Sequence, residues 1–198
     1  MSATTTPRGA EIRRRTKETD IECTLTLDGS GTADVRTGIG FLDHMLTALA
    51  RHGGLDLKLH CTGDLHVDDH HTAEDCALAL GMALDAALGD RAGLRRFGNA
   101  YAPLDEALAR AVWDLSGRPF ALVELGLTRE ALGGLACENI GHFFRSLAVA
   151  SRSCLHVDVL RGENDHHRAE AAFKAVAVAL RSAVESIGGG VPSTKGVL

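Results

Sequence analysis

Residues 69–75 read Asp-His-His-Thr-Ala-Glu-Asp, and residues 165–171 read Asp-His-His-Arg-Ala-Glu-Ala, 96 positions later. Each copy opens a stretch with apolar residues at helical spacing: Cys76, Ala77, Leu80, Leu84 and Leu88 after the first, Phe173, Val176, Leu180 and Val184 after the second. A further histidine precedes each copy, His44 in FLDHM and His142 in NIGHF, 98 positions apart. Six of the ten histidines fall in these four matched places. A duplicated unit is the simplest account: residues 1–8 as a flexible tail, 9–93 as the first half, 94–187 as the second and 188–198 as a C-terminal tail closing on substrate, all in one compact unit.

Around these helices the chain alternates in type. Ile21, Cys23, Leu25 and Leu27 alternate with polar residues, as do Leu55, Leu57 and Leu59, which predicts half-buried strands. Strands are also expected over 107–113, 119–125 and 155–159. Helices are expected from Leu42 to the Gly53-Gly54 stop, from about Thr72 to Leu88, over 139–151 and over 168–187. Four helices in two pairs, with strands between them, point to an α/β or α+β class.

Composition excludes several other classes. The formal charge is −5 with His neutral, which argues against a nucleic-acid surface. At 45% hydrophobic and 24% charged the chain matches ordinary globular proteins. The opening MSATTTPRGAEIRRR has no apolar run of signal-peptide length, and no window approaches the roughly 18 apolar residues of a membrane span. A cytoplasmic location follows as the expectation. Cys23, Cys61, Cys76, Cys137 and Cys154 are scattered without a CxxC pair and read as reduced, mostly buried thiols.

Residues four apart on a helix share a face, so His70 with Glu74, and His166 with Glu170, each form a two-ligand clip. The adjacent His71 or His167 points about 100° away and needs a different metal. Taking a clip from one half and the lone histidine from the other predicts two sites of like composition. One holds His44, His71, His166 and Glu170; the other holds His70, Glu74, His142 and His167. Three imidazoles and a carboxylate without thiolate suit Mn, Fe, Co or Zn, and the residues do not choose among them. One isolated HHxxE would read as a capped helix start with acids near the positive dipole end; two matched copies with matched upstream histidines do not.

FLDHM at 41–45, DDHHTAED at 68–75, GENDHHRAEAAFKA at 162–175 and PSTKG at 192–196 resemble the signature blocks of the imidazoleglycerol-phosphate dehydratase family. RRTKET at 14–19, RRFG at 95–98 and DLSGRP at 114–119 resemble further blocks, so the resemblance covers nearly the whole chain. It implies a hydro-lyase of histidine biosynthesis that takes D-erythro-imidazolylglycerol phosphate to imidazolylacetol phosphate through a metal-bound imidazolate, with two Mn²⁺ per active site. It also implies an α+β fold, an α/β sandwich of two duplicated sheet-plus-two-helix halves resembling the second domain of ribosomal protein S5, and a homo-oligomeric shell, a 24-mer, with active sites between subunits. The small imidazole phosphate is then the expected partner, with neither nucleic acid nor membrane.

By the same resemblance Glu18 is the catalytic proton carrier. Glu18, His44, His52, His70, His71, Arg96, Arg118, Lys174, Ser193 and Lys195 are the expected substrate contacts. On local sequence alone Glu18 reads as a solvated charge before a strand, the Arg and Lys residues as surface cations, His52 as a helix C-terminal histidine and GGGVPSTKGVL as a frayed tail. His60, His66 and His156 have no motif support. Two rival readings stand beside this one: a dinuclear metal-dependent phosphoesterase, which would normally carry more Asp and a bridging carboxylate, and a non-catalytic metal-binding shell.

Overall fold

The computed structural model describes residues 8–196 and 198; residues 1–7, most of the expected N-terminal tail, and residue 197 lie outside the described residues. The first half comprises β1 (Gly9–Arg15), β2 (Thr19–Thr26), β3 (Ala33–Arg36), α1 (Gly40–Gly53), β4 (Asp56–Gly63) and α2 (His70–Leu88). The second comprises β5 (Phe97–Leu104), β6 (Ala107–Asp114), β7 (Phe120–Glu124), the short pair β8 (Ala131–Leu132) and β9 (Leu135–Ala136), α3 (Cys137–Ala150), β10 (Cys154–Arg161) and α4 (Asp165–Ala183). Strand order is β1-β2-β4-β3 in one sheet and β5-β6-β10-β7 in the other. The two orders are the same path traced twice, with β3–β4 and β7–β10 parallel and the other neighbours antiparallel.

Helices α1 and α2 cover the inner face of the first sheet and α3 and α4 that of the second. Across the midline α1 packs on α4 and α2 on α3. The result is an α+β sandwich, sheet, helices, helices, sheet, as expected. Its core joins Ile21, Cys23, Leu25, Leu57 and Leu59 of one sheet to Trp113, Leu155 and Val157 of the other through Met45, Leu46, Phe143, Phe144 and Phe173. Trp113, fully buried, donates its indole N–H to the Val176 carbonyl at 3.2 Å, which satisfies the one polar atom a core Trp carries.

The second sheet accepts its helix closely because its inner face is small: Gly98, Ala100, Ala102, Ala109 and Ala111 are all buried. A Cβ at Gly98 would collide with the Ala179 carbonyl and come within 2.6 Å of the Ala183 nitrogen. Helix α1 ends where expected, with Gly54 at φ 67° returning its N–H to the Ala50 carbonyl.

Some boundaries differ from the sequence expectation. Helix α2 begins at His70 rather than near Thr72, because the Asp68 carboxylate accepts the His70 N–H at 2.9 Å. Helix α4 begins at Asp165 rather than Arg168, capped by the Asn164 side chain on the His166 N–H at 2.9 Å, and ends at Ala183 rather than Ile187. Strands β1, β3, β5, β8 and β9 were not anticipated. Strand β1 is an edge strand, alternately exposed and half-buried, whose residues lack an apolar alternation. Arg8, assigned by sequence to the tail, binds Asp28 and donates to the Val184 carbonyl at 2.7 Å.

Candidate metal centres and phosphate pocket

The helix starts aim the motif histidines. With the first turn of α4 fixed by Asn164 and that of α2 by Asp68, His166 and Glu170, and His70 and Glu74, lie one above the other on faces turned toward α1 and α3. In the first cluster Glu170 Oε2 stands 3.2 Å from His44 Nε2 and 3.3 Å from His166 Nε2. In the second, Glu74 stands 3.6 Å from His70 Nε2 and 3.2 Å from His142 Nε2, and the rings of His70 and His142 stack at 5.0 Å. Within each trio one ligand atom per residue falls within 4.8 Å of the others.

Each trio fits a divalent cation: two imidazoles and a carboxylate are the donors that borderline metals take. The His142 Nε2 is shut off from solvent and, although Glu74 lies 3.2 Å away, forms no aligned hydrogen bond among the described residues, a lone pair that a bound cation would satisfy. Glu170 is ionised for the purpose. Burial pulls its carboxyl upward, but the Lys174 bond at 2.7 Å, the His44 bond and their charges outweigh it and leave the group below its ordinary value.

His71 and His167, the fourth ligands expected for these sites, stand outside both trios. His71 Nδ1 is held by Asp64 at 3.0 Å, which raises its pKa, and its Nε2 is 3.7 Å from Glu18. His167 Nδ1 is held by Glu106 at 2.7 Å, also raising its pKa. His70 Nδ1 meets the buried Asn139 Oδ1 at 2.9 Å. Asp64, Glu106 and Asn139, which orient these histidines, escaped the sequence reading; their residue types are not matched between the two halves, and only folding brings them to the rings.

Of the expected substrate contacts, Lys174 and His52 border the first trio. Lys174 binds Glu170, and His52 feels first burial and then the Lys174 charge, both of which lower its pKa. Arg96, Arg118, Ser193 and Lys195 gather elsewhere, lining one open cavity of about 550 Å³ with Phe97, Pro192 and Thr194. The C-terminal segment is held there because Arg96 pairs with Asp114 at 2.7 Å and donates to the Pro192 carbonyl at 2.7 Å. Glu18 is exposed at the β1–β2 turn beside His71. Of the histidines without motif support, His60 pairs with Asp34 at 2.9 Å and His156 packs on Phe120.

Two matched His₂Glu clusters between the paired helices of a sheet–helix–helix–sheet sandwich, with a separate cationic pocket, define a metal-binding enzyme fold for an anionic substrate. Comparison with known proteins makes the assignment specific. The chain belongs to the imidazoleglycerol-phosphate dehydratase family, whose profile matches residues 37–180. The imidazoleglycerol-phosphate dehydratase of Chlorobium luteolum is 53% identical over 197 residues, covering 100% of this chain and 98% of that protein. That of Saccharomyces cerevisiae is 53% identical over 218 residues, covering 98% and 99%. A Phytophthora nicotianae relative is 62% identical, but the chain spans only 42% of its length.

Among solved structures, the Staphylococcus aureus enzyme superposes with a TM-score of 0.81 at 35% identity over 90% of this chain and 99% of that one, and the Pyrococcus furiosus enzyme with 0.80 at 40% over 94% and 100%. The activity is that of a hydro-lyase of histidine biosynthesis acting on imidazoleglycerol phosphate. The phosphoesterase and storage-shell readings find no support in these relatives. Among the described residues no helix is long and apolar enough to cross a membrane.

Proposed function

We propose that each active site uses two Mn²⁺ ions and is assembled from several copies of this chain in a cytoplasmic homo-oligomer, of 24 subunits by family resemblance. The observation that supports assembly from several copies is a separation within the chain. The Arg96 N–H donates to the Ala183 carbonyl at the C-terminal end of α4, whereas His166 is in its first turn. Thirteen residues from Glu170, or seventeen from His166, at 1.5 Å each put the Arg96 backbone about 20–25 Å from the first metal trio along α4. The extended substrate spans no more than about 10 Å by its bond lengths. A single chain would not offer Arg96 and its own first trio to one substrate.

The outer sheet faces point the same way. Phe97, Tyr101, Val112, Phe120 and Leu122 are exposed on the face of the second sheet that turns from the helices, while the same face of the first carries Arg13, Arg15, Glu22, Lys58 and His60. An apolar patch of this kind marks a buried contact.

In the assembled site the trio of one copy, His44, His166 and Glu170, gains His71 from another, and His70, Glu74 and His142 likewise gain His167. When bound, the two cations supply positive charge that lowers the proton affinity of the substrate imidazole. Arg96, Arg118, Ser193 and Lys195 grip the phosphate, the two arginines through forked donors. Lys174 and His52 border the glycerol chain. Glu18 removes the proton from the carbon adjacent to the one that bears the departing hydroxyl; hydroxide and proton leave as water, and the resulting enol tautomerises to the ketone.

The test is dehydration of imidazoleglycerol phosphate by protein stripped of metal and titrated with Mn²⁺, comparing wild type with Glu18→Gln. Activity should need the ion and fall by roughly 10²–10⁴ in the variant. A wild-type protein that binds Mn²⁺ and assembles but consumes no substrate would overturn the assignment.

A further inference from the structure

Because the two sheets follow one path, residues of the halves pair by position. Glu18 is the last residue of the β1–β2 turn and Glu106 the last of the β5–β6 turn. Behind them Gly63 lies against Thr72 and Gly162 against Arg168, which makes Asp64 and Glu163 counterparts too. The Asp64 N–H donates to the Glu18 carbonyl at 3.1 Å, and the Glu163 N–H donates to the Glu106 carboxylate at 3.1 Å. Glu18 and Glu106 are one position in two copies of the unit.

Their surroundings differ. Glu106 Oε1 accepts the N–H groups of Glu163 and Asn164, the latter at 2.9 Å, and Oε2 faces His167 Nδ1 at 2.7 Å. The Glu18 carboxylate makes no hydrogen bond among the described residues and has only a 3.7 Å approach to His71 Nε2. In the first half the aspartate Asp64 grips the ring Nδ1 at 3.0 Å and leaves the turn glutamate free. In the second half the turn glutamate is itself the grip.

We propose that Glu106 is the positioning residue of His167, locking its Nε2 toward a divalent cation, and that this role withdraws it from proton transfer and leaves Glu18 as the working turn carboxylate. The inference rests on the metal-site reading above. An ionised carboxylate only accepts, so a neutral imidazole facing it carries its single proton on Nδ1, and the Nε2 lone pair is left for the metal. The two backbone donors fix the carboxylate so that it cannot turn away.

Glu106→Gln separates this from a packing role. The amide is isosteric, but its oxygen is claimed by the two fixed N–H donors and its NH₂ then faces Nδ1. Nδ1 must accept, the ring proton moves to Nε2, and ligation is blocked. Full-length protein stripped of metal is titrated with Mn²⁺, free ion being followed by its EPR signal, beside the thermal midpoint of the metal-free protein. Wild type should take two equivalents per chain. Glu106→Gln should keep one and bind the other about 10–100-fold more weakly, with the metal-free midpoint unchanged. Glu163→Ala, which retains its backbone donor, should match wild type. Glu106→Asp, charged but drawn back by about one carbon–carbon bond, ~1.5 Å, should fall between, and it serves if the glutamine variant does not fold. Two equivalents bound with wild-type affinity by the folded variants overturn the positioning role alone. A wild type that does not take two equivalents overturns the metal reading and this inference with it.

Discussion

If an active site joins the phosphate pocket of one copy to the metal trio of another, two inactive variants should repair each other. Arg118→Ala removes an exposed pocket cation, and Glu170→Gln removes the carboxylate shared by His44 and His166. Neither holds the sheets together, and each alone should assemble. In a randomly mixed oligomer each site draws its pocket and its trio independently, so about one quarter of sites receive both intact parts. Were both parts taken from a single chain, no site would. The expectation follows from the structure: about 20 Å of α4, from Glu170 to Ala183 beside Arg96, separates the parts. Chains carrying different affinity tags would be co-expressed, purified through both tags, and assayed for dehydration with saturating Mn²⁺ per milligram. Activity near a quarter of wild type supports shared sites. Activity equal to the mean of the two single variants would refute the reasoning and return both parts to one chain.

Two further outcomes concern the fold and its pH dependence. Gly98→Ala should destabilise the protein by about 1–3 kcal/mol, read by chemical denaturation, because its methyl meets α4 backbone rather than a movable side chain; an unchanged denaturation midpoint would contradict the close β5–α4 approach. Asp165, 2% exposed, is pulled upward by burial, but the Arg129 and Thr128 donors outweigh this and hold its pKa below the ordinary 3.8. A depressed carboxyl stabilises above its unfolded value and loses that contribution as pH falls through the folded one. Asp165→Asn should therefore lower stability at neutral pH and flatten its decline in acid below about pH 4; parallel acid curves for the two proteins would exclude this.

The duplicated histidine motif was legible because ligation demands particular residue types at helical spacing, and spacing survives in the sequence. Central strands were legible for a similar reason: Ile21, Cys23 and Leu25 must alternate where one face is buried. Edge strand β1 was not, since Glu11, Arg13 and Arg15 face solvent and the paired residues between them include Arg14, whose charge is met only in space by Asp75. Strand β5 hid for the opposite reason. Its inner face is Gly98, Ala100 and Ala102, too small to register as an apolar alternation, because α4 lies so near.

The same distinction separates what the site revealed from what it hid. A group that reaches a borderline cation from these helices must offer an imidazole nitrogen or a carboxylate oxygen, so its type is narrowed locally, whereas the group behind it need only accept a hydrogen bond from Nδ1–H. Asp64, Glu106 and Asn139 meet that one requirement from a loop, a turn and a helix. Their types vary and their spacings to the histidines they serve are 7, 61 and 69 residues, so no period could expose them. Duplication constrains the ligands twice over but leaves their supports free to diverge. On the roles proposed above, that freedom would let Glu18 and Glu106 occupy one position and do different work: where an aspartate already holds the ring at 3.0 Å, the turn glutamate is left without a hydrogen bond among the described residues.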